Sequence, residues 1–123
     1  LIKFGDYPNL ECSSQGDKRF SPFFARIKSR GNKSIEEIYQ SSKIFKDGTN
    51  GNEDWKLNKG KKPVNLLEVR LLYSQLWNEY IDENPELIEV LKSYPGLSDK
   101  FGSDNGACQA VELWRIRNKA MNV

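Results

Sequence analysis

The chain of 123 residues contains no histidine. That absence excludes a histidine-based catalytic triad and imidazole acid/base chemistry, and it removes most zinc sites, so no metal site is expected. If the chain is an enzyme, its proton transfers fall to Glu, Asp, Lys, Tyr or Cys. Cysteine is scarce, with only Cys12 and Cys108, near opposite ends. A chain of this size with many aromatics needs no disulfide framework, so a reduced, cytoplasmic setting is expected. No apolar run approaches the roughly 20 residues that a membrane helix requires. The amino terminus also shows no signal-peptide pattern, so no membrane partner is expected. A strong charge of either sign is missing too. The 19 Lys and Arg and 17 Asp and Glu leave a net charge of +2. Nucleic-acid binding would therefore need a local patch.

What is present is a globular composition. The chain is 37% hydrophobic and 29% charged, with 3 Trp, 5 Tyr and 6 Phe to fill a core. A disordered chain would hold fewer aromatics. The length suits a single compact domain, residues 1–123.

Short extended segments are expected around Leu10–Ser13 and Phe23–Lys28, with a turn at Arg30-Gly31-Asn32. Ser34 followed by Glu37 forms the S-x-x-E capping pattern and opens a helix to about Phe45, stopped by Asp47-Gly48. Asn65 is placed to cap a long helix from Leu66 to Asp82. Leu66, Val69, Tyr73, Leu76, Trp77 and Tyr80 recur there at spacings of three and four, and Leu67, Leu72 and Ile81 widen the stripe. Asn84-Pro85-Glu86 stops that helix and starts a short one to Lys92. Residues 96–106 read as loop. A last helix from Ala107 to Lys119 aligns Ala107, Val111, Trp114 and Asn118 on one side. The expected fold is mainly α, with a minor extended part near the amino terminus and Trp77 and Trp114 in the core. Cys108 reads as a small buried hydrophobe.

The stretch SIEEIYQSSK, residues 34–43, is the most informative. At about 100° per residue, Gln40 and Lys43 fall within about 40° of Glu36. Ile35, Ile38, Tyr39, Ser42 and Phe45 face the core. Glu36, Gln40 and Lys43 thus form one polar strip beside the apolar face, while Glu37 belongs to the cap. A solvated helix face would carry the same residues, so the pattern leaves a binding role and a surface role both open.

This stretch resembles the S-[V/I]-E-x-x-[Y/F]-Q-x-x-K element of the NADAR (YbiA-like) family. Phe20-Ser21-Pro22-Phe23-Phe24 resembles the family's F-S-N-F-[Y/F] entry motif, and Asp54-Trp55 its D-W. Asn84-Pro85-Glu86-Leu87 resembles its N-P-x-L, and residues 109–117 its last helix. The likeness covers residues 18–117. Glu37 stands where many members have His and Pro22 where the entry motif has Asn, and DKFGSDNG replaces a segment with a W-G pair, which marks a divergent branch.

The resemblance implies a small helical domain that acts on N-glycosidic bonds in NAD and ADP-ribose metabolism. Its substrate would be a ribosylated base in a nucleotide or nucleic acid, with no cofactor. Glu36 would stabilise the oxocarbenium-like sugar and activate water. Lys43 would bind a phosphate or hydroxyl, or hold Glu36 ionised, and Gln40 would orient a hydrogen bond. Trp55, Phe20 or Phe23 would stack on a base, and Ser21 lies in the same entry motif. Arg19 is a phosphate candidate and Asp99 a second carboxylate. Lys56, Lys59, Lys61 and Lys62 form a basic run after Trp55 that would suit nucleic-acid phosphates. Two alternatives stay open: a binder that sequesters an ADP-ribose-type nucleotide, and a protein-interaction domain in which Glu36, Gln40 and Lys43 are solvated. Toxin–antitoxin, phage-defence and detoxification settings are all compatible with the resemblance.

Overall fold

The computed structural model describes residues 9–13, 15–46, 62–98 and 108–121. Strand β1 (Asn9–Glu11) comes first, followed by a small hairpin of β2 (Arg26–Ile27) and β3 (Lys33–Ser34) and by helix α1 (Ile35–Ser41). The long helix α2 (Leu66–Glu83), short α3 (Leu87–Lys92), strand β4 (Gly96–Ser98) and helix α4 (Gln109–Met121) complete the order. Among the described residues the fold is therefore mainly α, with two two-stranded sheets.

Helix α2 organises the core. Its buried residues are Val69, Tyr73, Leu76, Trp77, Tyr80 and Ile81, an arc of about 140° on helical geometry. Each large side chain buried there contributes about 1.5–3 kcal/mol. The arc is narrower than the sequence leads one to expect. Leu67 is 71% exposed and Leu72 only half-buried, because both lie about 110° from the centre of the arc. Edge-to-face contacts link Tyr39 to Tyr73 at 4.8 Å, Tyr73 to Trp77 at 6.4 Å and Trp77 to Tyr80 at 5.6 Å.

Helix α1 stops at Ser41, not at Phe45 as its capping pattern and polarity suggest. The hydroxyls of Ser41 and Ser42 both donate to the Ile38 carbonyl, at 3.1 and 2.7 Å, offering the backbone a local alternative to further helix. Asn65 then draws the chain away. Its Oδ1 accepts the Ile44 amide at 2.9 Å and its Nδ2 donates to the Ser42 carbonyl at 3.0 Å. The side chain expected to cap α2 is thus engaged with another segment, and α2 opens through the Asn65 carbonyl, which accepts from the Val69 amide. Asn84 behaves similarly. Its side chain donates back to Tyr80 and closes α2, and only its carbonyl serves the start of α3.

The buried face of α4 holds Gln109, Ala110 and Leu113. Val111, Trp114 and Asn118, expected along one side, are half-buried, with Val111 and Trp114 packed against the core, and the centre of the fully buried face lies about 120° from the centre of that side. Trp114 lies under the Arg117 guanidinium, 4.5 Å from the ring centre. Arg117 Nε donates to the carbonyls of Leu91 and Tyr94 and ties α4 to the end of α3. Ala107 lies outside the described residues.

Strand β1 runs parallel to β4, with Leu10 opposite Leu97, both buried. Residues 96–98 read as loop in the sequence because three residues are too few to show alternation. The extended segment expected over Phe23–Lys28 shrinks to Arg26–Ile27, since a turn precedes it and a 3-10 turn, Lys28–Arg30, follows. The Glu83 carboxylate accepts the amides of Lys28 and Ser29 at 2.8 and 3.1 Å. Arg30 meets Glu79 in two parallel bonds of 2.7 and 2.8 Å. Together these fasten the hairpin to α2. Gly31 and Asn32 turn the chain at φ 73° and 59°, a left-handed pair that glycine and asparagine adopt at low cost. Cys12 and Cys108 are both buried and are not joined by a disulfide. No described helix is long and apolar enough to cross a membrane.

Candidate functional site

The first amides of a helix have no partner within it, and here the entry motif and the cap supply three. The Ile35 amide donates to the Ala25 carbonyl and the Glu36 amide to the Pro22 carbonyl, both at 2.9 Å. The Ser34 hydroxyl accepts the Glu37 amide at 3.1 Å, which bears out half of the expected capping box. The turn itself is closed by the Ser21 carbonyl, which accepts from Phe24 and Ala25 at 3.1 and 2.8 Å. Two motifs separated in sequence, FSPFFA and SIEEI, are therefore joined directly through their backbones.

The three residues of the expected polar strip are inside the protein, Glu36 and Gln40 on α1 and Lys43 two residues beyond its end. Glu36 is 9% exposed, Gln40 1% and Lys43 0%. Gln40 Nε2 donates to Glu36 Oε2 at 2.6 Å. Charged groups leave water at high cost unless they are compensated. Gln40 supplies a donor to the carboxylate, and the Lys43 ammonium lies 4.7 Å from the centre of the Tyr39 ring, a desolvated cation–π contact worth about 2 kcal/mol. Glu37, by contrast, is exposed.

Behind the strip lies a polar chain that crosses the core. The Tyr73 hydroxyl donates to Gln109 Oε1 at 3.4 Å, and Gln109 Nε2 donates to the Cys12 carbonyl at 3.1 Å. Burial pushes the Tyr73 phenol well above its ordinary range. The Trp77 indole N–H opposes that shift from alongside, and the charge on Glu36 adds to it. Tyr73 is thus held protonated. The Trp77 N–H reaches no acceptor at hydrogen-bond geometry among the described residues. Tyr39 and Tyr73 fit the apolar pattern and reveal nothing polar in the sequence. Gln109 carries the one readable signal, a polar residue among the apolar positions of an amphipathic helix.

Other candidates lie elsewhere. Arg19 is on the surface and pairs with Asp17, its Nε at 3.0 Å and its Nη2 at 2.7 Å from the carboxylate. That contact holds the Asp17 carboxyl below its usual range. The Arg19 carbonyl accepts the Tyr80 hydroxyl at 2.6 Å, and burial pushes the Tyr80 phenol up to about 12. Phe20 is fully buried in the core and offers no face to a ligand. Ser21 is also buried, its hydroxyl accepting the Phe23 amide at 3.3 Å. Phe23 is 44% exposed at the tip of the turn. Lys62 is exposed just before α2. Trp55, Lys56, Lys59, Lys61 and Asp99 lie outside the described residues. Among the described residues no group of three or more Cys, Asp and Glu is placed to hold a metal ion.

Comparison of the chain with protein-family profiles, curated proteins and solved structures finds no match, so the NADAR resemblance rests on its quoted motifs alone.

Proposed function

We propose that the protein hydrolyses an N-glycosidic bond between a ribose and a base, in a nucleotide or nucleic acid, with Glu36 as the central carboxylate. One observation carries this reading. Glu36, Gln40 and Lys43 are all buried, with Gln40 fixing one carboxylate oxygen of Glu36 at 2.6 Å and the Glu36 amide bound to the Pro22 carbonyl of the Ser21–Phe24 turn. Solvated side chains, the arrangement that the interaction-domain alternative calls for, do not fit this burial.

The chemistry follows from the groups present. As the bond from the anomeric carbon to the base nitrogen lengthens, positive charge grows on the sugar. A carboxylate in a water-poor site stabilises that charge far better than one in bulk water. The same carboxylate takes a proton from the water that attacks the anomeric carbon and passes it to the departing base nitrogen, which regenerates the carboxylate. Gln40 keeps the carboxylate in one orientation, so little reorganisation remains for the reaction itself. Lys43, two residues beyond the end of α1 with its ammonium on the Tyr39 ring, supplies a positive charge for a phosphate or a sugar hydroxyl.

The test is release of free base, followed chromatographically, from ADP-ribosylated guanine in DNA and from a ribosylated pyrimidine phosphate. Accumulation of the hydrolysed pair supports the reading. Recovery of both substrates unchanged, with tight binding by calorimetry, would replace it by the sequestering alternative.

A further inference from the structure

Residues 18–33 carry six basic side chains, Lys18, Arg19, Arg26, Lys28, Arg30 and Lys33, and no acid. Arg19 and Arg30 are engaged by Asp17 and Glu79, while Lys18, Arg26, Lys28 and Lys33 are exposed, Arg26 with one guanidinium nitrogen donating to the Asn32 carbonyl at 3.0 Å. Among these cations stand two adjacent aromatics, Phe23 and Phe24, 44% and 48% exposed. Phenylalanine is ordinarily among the buried residues, and here its exposure has a structural cause. The base of the turn is anchored by buried Ser21 and Pro22, and the carbonyls of Pro22 and Ala25 cap α1. The chain leaves at once into the hairpin. Both rings are therefore held at the tip of a braced turn. The Lys18 ammonium lies 4.9 Å from the centre of the Phe24 ring.

We propose that this turn is a binding surface for single-stranded nucleic acid, with Phe24 and Phe23 stacking on unpaired bases and Lys18 and Arg26 contacting phosphates. Sequence-tolerant binding of single strands combines aromatic faces with cations that follow the backbone, and both are assembled here within nine residues of chain, Lys18 to Arg26. The position of Lys18 favours a nucleic acid over a lipid surface. Driving Phe24 into a bilayer would strip water from the ammonium seated on its ring. A base stacked on the opposite face leaves that ammonium beside the phosphates. Through the Pro22–Glu36 backbone bond, a strand held here would pass the first turn of α1. The surface does not depend on the hydrolase reading, since an unmodified strand would bind whether or not Glu36 reacts.

The experiment is fluorescence anisotropy of the intact protein with labelled, unmodified oligo(dT) of about 20 nucleotides, with the matched duplex and anionic phosphatidylserine vesicles in parallel. The expected result is binding of the single strand that Phe24→Ala weakens about tenfold, as loss of one stacked base does. Lys18→Gln and Arg26→Gln should each lower the slope of log affinity against log salt by about 0.7. Circular dichroism of each variant checks that the fold is kept. No binding at low salt overturns the proposal, and so does binding that Phe24→Ala and Lys18→Gln leave unchanged. Equal affinity for the duplex removes the stacking component, and association with vesicles but not with oligo(dT) assigns the turn to a membrane surface instead.

Discussion

Gln40 donates its side-chain amide to the carboxylate of Glu36, one helical turn earlier, across 2.6 Å, and both residues are buried. On an exposed helix such a pair would contribute a few tenths of a kcal/mol. Buried, it fixes the orientation of a carboxylate that water no longer solvates.

Glu36→Gln removes the charge and keeps the shape. Base release should fall by at least about 100-fold, the usual contribution of a positioned acid or base. The thermal midpoint should change little, because the amide introduced at this position can still hydrogen-bond Gln40. Full activity in the variant would remove Glu36 from the reaction.

Gln109→Leu keeps most of the volume and deletes the link from the Tyr73 hydroxyl to the Cys12 carbonyl. A buried phenol deprived of its partner should cost about 1–3 kcal/mol in denaturant unfolding. Gln109→Glu separates packing from polarity, as it keeps an acceptor for Tyr73 but no donor for Cys12.

Asn65 closes two bonds at once, one as acceptor from Ile44 and one as donor to Ser42. Asn65→Ala should destabilise by about 1–2 kcal/mol. Asn65→Asp keeps the acceptor alone and should cost less. If the two variants are equally stable, the link to Ile44 contributes nothing measurable.

The acid limb of the stability profile should reflect three carboxylates. Arg19 holds Asp17, Arg30 holds Glu79, and the Ser29 and Lys28 segment holds Glu83, each below its ordinary range. A carboxyl lowered in the folded state stabilises the protein above its unfolded value, and that contribution is lost as pH falls through the folded value. The thermal midpoint should thus be level above about pH 5 and decline below about pH 4. Glu79→Gln should shallow the decline. Its loss at neutral pH should stay near 0.5–1 kcal/mol, since the pair with Arg30 is partly exposed and screened.

Local chemistry was the legible part of the fold. Ser34 caps α1 because a hydroxyl three residues before an amide reaches it in any protein. Helix α2 runs over Leu66–Glu83, within one residue of its expected end, and buries its stripe from Val69 to Ile81, because spacing on a helix is a property of the chain. Where residues compete for partners, local reading failed. Asn65 and Asn84 have side chains suited to capping the helix that follows, yet both serve other segments.

The candidate site divides in the same way. Sequence alone placed Glu36 and Gln40 on one face, since about 100° per residue fixes their relation, whereas Lys43, expected on the same strip, lies beyond the helix end at Ser41. The sequence also ruled out imidazole chemistry, because the chain has no histidine. Only the tertiary structure decided that the strip is buried, that the Phe20–Phe24 turn caps the same helix, and that Gln109 reaches Cys12 from 97 residues away. Burial depends on what packs against a face, and packing depends on contacts between segments whose separation along the chain carries no local signal.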